Sequence, residues 1–303
     1  MNWQTTTANL FARLTIKQMM KRDVSIETMR RAIDTLERLF PRRPADCDVD
    51  GDDPLQNCDA EWVRPRALQT DRVVLHFPGG AYVVRFPNFE RALLGRICHA
   101  AHARGRLVFY RLAPEHPFPA GHDDGVAAYR QLLDRGVAPD RIVLSGLSAG
   151  GGLALGVLLA IRDRAWPMPA AVVAMSPLTD LTDTHDGSSR VRNARRDAVL
   201  SLAHGPALRD MYVGGNASLY TNPYVSPVFG DYAGTPPVLF QVGSTEVMLD
   251  DSRNAAQQIR ATGGAAEVEV WQRMPHGWQG LPFIPDAKLA VQRIGDFIRM
   301  HVP

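Results

Sequence analysis

The apolar run Arg141-Ile-Val-Leu-Ser145 leads into Gly146-Leu147-Ser148-Ala149-Gly150, and a small-residue apolar stretch, Gly151-Gly-Leu-Ala-Leu-Gly-Val-Leu-Leu-Ala160, follows at once. A strand, a serine flanked by glycines two residues away, and a helix make a nucleophile elbow, whose sharp turn has no room for side chains at the flanking positions. The turn lifts the Ser148 hydroxyl clear of a sheet and aims the N-terminal end of the helix at any oxyanion formed there. Few folds accommodate such a turn, so it constrains the chain more than any other feature.

The rest of the chain fits a parallel sheet. Strand-like runs near Val73-Leu75, Leu107-Tyr110, Ile142-Leu144, Ala171-Ala174, Val238-Val242 and Val268-Trp271 alternate with helical patterns over 90–103, 123–135, 151–162, 251–262 and 287–301. Alternation of this kind predicts an α/β fold with helices on both faces of a mostly parallel sheet. Ahead of it, 5–40 reads as helical, ending at Pro41, while 48–53 is acidic and turn-like. Ala60-Glu-Trp-Val-Arg64 reads as a short strand leading into Arg66-Ala-Leu-Gln69, a hairpin edge. Roughly fifty residues between Ser176 and Pro227 show no strand of their own, which in a compact domain marks a lid or insertion. The expected organisation is an N-terminal helical cap arm over 1–45 and a catalytic domain over 46–303, with a cap insertion at about 178–226.

Composition excludes several alternatives. The 303 residues are 45% hydrophobic, enough for a large packed core, and the net charge of +2 comes from 34 basic and 32 acidic residues with no sustained basic run. Nucleic acid is therefore not an expected partner. Cys47, Cys58 and Cys98 have no metal-ligand or disulfide spacing and read as free thiols. The first residues lack a signal-peptide pattern and no apolar stretch reaches membrane-spanning length, so the expectation is a cytoplasmic protein without membrane contact.

A serine hydroxyl needs an imidazole to take its proton and a carboxylate to orient that imidazole. In this fold both follow the serine, which leaves His185, His204, His276 and His301. His276, in Arg273-Met-Pro-His-Gly-Trp278, comes just after the last expected strand; His185 and His204 fall in the insertion, and His301 nearly ends the chain. The acid belongs just past Pro237-Val-Leu-Phe-Gln-Val-Gly243, where Glu246, Asp250 and Asp251 all qualify by position. Asp250 and Asp251 open a helix, where carboxylates serve free N–H groups, whereas Glu246 has no such structural explanation. Oxyanion donors are expected from the N–H of Ala149 and from the loop Phe77-Pro-Gly-Gly-Ala-Tyr82, where Gly79 and Gly80 permit close backbone approach and Ala81 needs only its amide.

These stretches, together with Tyr110-Arg-Leu-Ala-Pro-Glu-His-Pro-Phe-Pro-Ala120, Ser176-Pro-Leu-Thr-Asp-Leu181, Val242-Gly-Ser-Thr-Glu-Val-Met-Leu-Asp-Asp-Ser252 and Met274-Pro-His276, resemble the hormone-sensitive lipase family of α/β-hydrolases, which includes many bacterial carboxylesterases. The resemblance runs from about Ala60 to the C-terminus. It implies an α/β-hydrolase fold with a helical cap. It implies a triad of Ser148, Glu246 and His276, with glutamate where the family usually has aspartate, and oxyanion donors at Gly80, Ala81 and Ala149. Gly79, Tyr82, Phe86 and Leu147 are candidates for the substrate pocket. Short-to-medium acyl esters are the implied substrates, cleaved through an acyl-enzyme without metal or cofactor; a homodimer is the family habit. The alternatives are a narrower lactone, amide or carbamate hydrolase using the same triad, and a non-catalytic small-molecule receptor on the same fold. Two positions depart from the family pattern. Pro78 replaces a histidine that normally holds the oxyanion loop, leaving His76 either to supply those hydrogen bonds or to serve as a buried strand residue. Leu147 replaces the usual aspartate before the nucleophile.

Overall fold

The computed structural model describes residues 3–19, 25–51, 53–182 and 185–303. Residues 20–24 of the expected N-terminal helix, Asp52 of the acidic turn and 183–184 of the insertion lie outside the described residues. Among the described residues the expected helical arm carries α1 (Trp3–Leu14), α2 (Ile16–Met19) and α3 (Ile26–Glu37). Ser25 caps α3, its hydroxyl accepting the Thr28 N–H.

Eight strands follow: β1 (Cys47–Asp50), β2 (Ala60–Pro65), β3 (Val73–Phe77), β4 (Arg104–Val108), β5 (Ile142–Leu147), β6 (Ala171–Met175), β7 (Val238–Gly243) and β8 (Ala266–Trp271). They form one sheet in the order β1-β2-β4-β3-β5-β6-β7-β8, parallel from β4 to β8 and antiparallel at the β1-β2-β4 edge. The expected antiparallel edge forms, but the partner of β2 is β1, part of the stretch read as an acidic turn, and not the residues after it. Asp48 and Asp50 project charge from that outer strand to Arg66 and Arg64, so a strand at the rim accepts residues that a buried one would reject.

Helices α4 (Pro87–Ala101), α5 (Ala120–Asp134), α6 (Ala149–Asp163), α9 (Leu249–Ala261) and α10 (Pro285–His301) cover the sheet, and α7 (Ser189–Arg192) and α8 (Gly205–Tyr212) lie between β6 and β7. The strand period of two divides the core into two layers. Leu75, Phe77, Leu144, Val172 and Phe240 pack with α5, α6 and α9, whereas Val74, Val143, Val173 and Leu239 pack with α4 and α10. Every residue of β3, β5, β6 and β7 is buried, as expected of central parallel strands covered on both faces. Helix α6 is buried from Ala149 through Ile161, which explains its all-round apolar sequence. Among the described residues no helix is long and apolar enough to cross a membrane.

Candidate active site

Strands β5, β7 and β8 end at one edge of the sheet, and Ser148, Glu246 and His276 each lie in the connection that follows one of them. Open α/β sheets bind ligands outside the carboxyl ends of their strands, so this is where sequence order becomes spatial proximity. Ser148 occupies the strained conformation φ 57°, ψ −122°. A Cβ on Gly146 would lie 2.1 Å from the Gly150 carbonyl oxygen, and one on Gly150 would lie 1.9 Å from that of Phe77, so both flanks must be glycine. The turn is pinned by its backbone: Ser148 donates its N–H to Met175 O at 2.8 Å, and its own carbonyl accepts the N–H groups of Gly151, Gly152 and Leu178. The Ser148 hydroxyl itself makes no hydrogen bond among the described residues.

Glu246 is fully buried, and all its interactions converge on orienting an imidazole. Its Oε2 accepts from His276 Nδ1 at 2.7 Å, while Oε1 accepts the Gly243 N–H at 2.6 Å and the Ser176 hydroxyl at 2.8 Å. With Nδ1–H given to the carboxylate, His276 holds Nε2 as the free acceptor. The loop bearing His276 crosses directly over Gly243, where a Cβ would lie 2.1 Å from the Met274 carbonyl oxygen. On the other side, a Cβ on Gly277 would lie 3.6 Å from Leu147 Cδ2, which places the neighbours of His276 and Ser148 against each other. Burial pulls the His276 pKa down, but the hydrogen bond that His276 donates to Glu246 and the charges of Glu246, Asp197 and Glu90 outweigh it and raise the pKa above the ordinary imidazole value. Burial also raises the Glu246 carboxyl, against the hydrogen bond and charge of His276.

Asp250 and Asp251 have other partners. Asp251 is buried, pairs with Arg190 at 2.8 Å and accepts the N–H groups of Thr179 and Asp180. Asp250 pairs with Arg192 and accepts the Ser189 N–H. Both stand in the first turn of α9, yet their carboxylates tie Thr179, Asp180, Ser189, Arg190 and Arg192 to that helix instead of closing its own free N–H groups.

The loop after β3 carries three consecutive positive φ values, at Gly80, Ala81 and Tyr82. It is gripped along its length. The Tyr110 hydroxyl donates to Pro78 O at 2.8 Å, the Gly79 N–H donates to Glu90 Oε1 at 2.7 Å, and Gly80 O accepts from Val83 and Val84. His76 lies 3.0 Å from Glu90 Oε2 through Nε2 and 3.2 Å from the Ser145 hydroxyl through Nδ1. The N–H groups of Gly80, Ala81 and Ala149 donate to no other described group.

Of the pocket candidates, Gly79 faces the nucleophile from the loop after β3, a Cβ there coming 3.4 Å from Ser148 Cβ. Leu147 is buried, and Tyr82 is buried beneath Tyr212. Phe86 precedes α4 and packs against the buried cluster of Met29, Ile33, Val83, Val84 and Ala113, as do Leu208 and Met211 of α8. Residues without a role in the sequence reading also converge here: Ser176 and Glu90 as above, Asn193, whose side chain donates to Ser244 O and Glu246 O, and Asp197, which accepts the Val247 N–H at 2.9 Å. They come from segments far apart in the chain, and no local pattern announces them.

The cysteines take no part. Burial pushes Cys47 up to about 11 and Cys58 up to about 12, so neither is a thiolate at neutral pH. Among the described residues no group of three or more His, Cys, Asp or Glu side chains is placed to hold a metal.

Sheet order, elbow and the Glu246–His276 pair define an α/β-hydrolase, and a family profile described as alpha/beta hydrolase fold matches residues 74–280. The chain belongs to that family. It is 40% identical over 244 residues to an acetyl-hydrolase of Streptomyces hygroscopicus, covering 80% of each chain. The crystal structure of an esterase from the bacterial hormone-sensitive lipase family superposes with a TM-score of 0.92 at 35% identity, covering all of this chain and 99% of that one. That of EstE5 soaked with p-nitrophenyl butyrate has a TM-score of 0.92 at 36% identity, covering 99% of both chains.

Proposed function

We propose that this protein is a serine carboxylesterase acting on short-to-medium acyl esters. The observation that carries the reading is buried Glu246 accepting from part-buried His276 at 2.7 Å, together with a serine held at φ 57° in the elbow. Ser148 Oγ attacks the ester carbonyl as His276 Nε2 takes its proton, and the negative charge that develops on the carbonyl oxygen is held by the Gly80, Ala81 and Ala149 N–H groups. Collapse of the tetrahedral adduct breaks the ester bond, His276 returns the proton to the departing alkoxide, and the acyl group stays on Ser148. Water then attacks this acyl-enzyme, giving its proton to His276, and the carboxylic acid leaves as Ser148 is reprotonated. Glu246 keeps Nε2 facing the serine and stabilises the imidazolium.

The N-terminal arm over 1–45 and the insertion over about 178–226 belong to the reading as a cap above the catalytic domain over 46–303. Support comes from the cluster in which Met29 and Ile33 of α3 and Leu208 and Met211 of α8 meet Ala81, Val83, Val84 and Phe86. A cytoplasmic location is in keeping with three free cysteines, and a homodimer through β8 and α10 with the exposed Leu289 and Met300.

Hydrolysis of p-nitrophenyl esters from acetate to palmitate, by the wild type and by Ser148→Ala, tests the reading. Cleavage of the shorter esters by the wild type alone is expected. A wild type that neither cleaves any ester nor reacts with a fluorophosphonate would overturn it; labelling without turnover would restrict the substrate to something narrower.

A further inference from the structure

We propose that Glu90 is a positioning residue for ester hydrolysis, its carboxylate setting the peptide plane that aims the Gly80 and Ala81 N–H groups. The inference rests on the esterase reading above.

Glu90 is fully buried in the first turn of α4, an expensive place for a carboxylate unless its oxygens are occupied. Both are. Oε2 meets His76 at 3.0 Å and Oε1 receives the Gly79 N–H at 2.7 Å, the one backbone donor that directly precedes the two unpaired amides. Turning the Gly79 N–H inward fixes the backbone from which the next two N–H groups project. His76 in turn is braced by Ser145 in the neighbouring strand β5, at 3.2 Å, so the brace for the loop is anchored on the strand that carries the nucleophile. Gly79 is the contact between the two. A Cβ there would lie 3.3 Å from Glu90 Oε1 and 3.4 Å from Ser148 Cβ, so a displacement of the carboxylate is passed to the loop beside the serine. The arrangement also accounts for Pro78, which has no N–H to donate: its carbonyl is held by Tyr110, while Glu90, braced by His76, holds the next residue.

The role depends on reach more than on charge. Glu90→Asp keeps the charge but withdraws the carboxylate by one methylene, whereas Glu90→Gln keeps an acceptor oxygen at the Gly79 N–H and an amide N–H for His76. The variants are compared with the wild type for p-nitrophenyl butyrate hydrolysis and for inhibition by butylboronic acid, whose serine adduct places an oxygen where the oxyanion forms. Misplacement by a fraction of an ångström to 1 Å lowers kcat on the order of 10- to 100-fold, so Glu90→Asp is expected to fall in that range, with KM within about twofold and boronate affinity falling in step with kcat. Glu90→Gln is expected to stay within a few-fold of the wild type. All three are assayed well below their melting temperatures. The proposal is overturned if Glu90→Asp keeps wild-type kcat and boronate affinity, if Glu90→Gln loses as much as Glu90→Asp, or if the loss vanishes on cooling, which would make the role structural only. A wild type inactive on every ester would instead count against the esterase reading, and fluorophosphonate labelling rates then replace kcat in the same comparison.

Discussion

The ring of Tyr212 lies flat on that of Tyr82, centroids 3.7 Å apart and planes 8° from parallel. Tyr212 ends α8 and Tyr82 ends the positive-φ run of the loop after β3, so the C-terminal end of α8 rests directly on the proposed oxyanion loop. Both rings are buried, and the Tyr212 carbonyl accepts the Phe118 N–H at 2.7 Å.

Removing the Tyr212 ring leaves a cavity beneath α8, and truncation of a buried aromatic costs about 3 kcal/mol or more. Tyr212→Ala is expected to lower the melting temperature and to reduce kcat on p-nitrophenyl esters. The Tyr212 hydroxyl is buried without a hydrogen-bond partner among the described residues, so Tyr212→Phe sheds an unsatisfied polar group and is expected to be as stable as the wild type, or ~1 kcal/mol more so. Thermal unfolding of both variants checks this, and a destabilised Tyr212→Phe would contradict it.

The pH dependence of kcat/KM is expected to report the titration of His276. Glu246, Asp197 and Glu90 hold the pKa above the ordinary imidazole value of about 6.5, and a general base works only when neutral, so activity is present above the raised pKa and lost as pH falls through it. Glu246→Gln removes the largest raising influence and leaves the burial that lowers the pKa. Its acid limb is expected to move to lower pH, while kcat falls by about three to four orders of magnitude because the imidazole is no longer held in the right tautomer. An acid limb that stays in place would show that Glu246 does not control His276.

Gly150 approaches the end of β3 too closely for any side chain, a Cβ lying 1.9 Å from Phe77 O and 2.5 Å from Pro78 O. Backbone cannot yield there as a flexible side chain would. Gly150→Ala is expected to destabilise the fold by about 3 kcal/mol or more and to abolish turnover even where folded, since α6 and the loop after β3 would be forced apart. Chemical denaturation and ester hydrolysis measure the two effects, and a stable, active Gly150→Ala would refute the packing of α6 on β3.

The pair between buried Asp251 and Arg190 holds the insertion to α9. Loss of one partner strands the other charge, at a cost of about 3–5 kcal/mol for a buried pair. Asp251→Ala is therefore expected to unfold at lower temperature and to expose the 185–200 segment to limited proteolysis. Unchanged stability and unchanged cleavage would mean that the pair contributes nothing to holding the insertion.

Sequence alone was sufficient for the strand-helix alternation, the elbow and the order of Ser148, Glu246 and His276, because each is a local pattern: a period of two or 3.6, or a turn with obligatory glycines. The six expected parallel strands all appear, and the five helices expected between and after them agree to within a few residues at their ends. Position left three acids open after β7, and their environments separate them. Asp250 and Asp251 face arginines of the insertion, while Glu246 faces His276. The β1–β2 pairing was illegible because Cys47–Asp50 carries a turn-like acidic sequence, and only its place at the rim of the sheet makes it a strand. Glu90, Ser176, Asn193 and Asp197 were equally silent. A buried carboxylate or amide is recognised by what it touches, and their partners lie across the fold: Ser176 and Glu246 are 70 residues apart, Asn193 and Glu246 53. What the sequence by itself determined is the class of fold and the order of its chemical groups, since both follow from short-range backbone preferences. What only the tertiary structure decided is which polar groups meet, since burial leaves a polar atom no water to fall back on and its partner is set by how the elements pack.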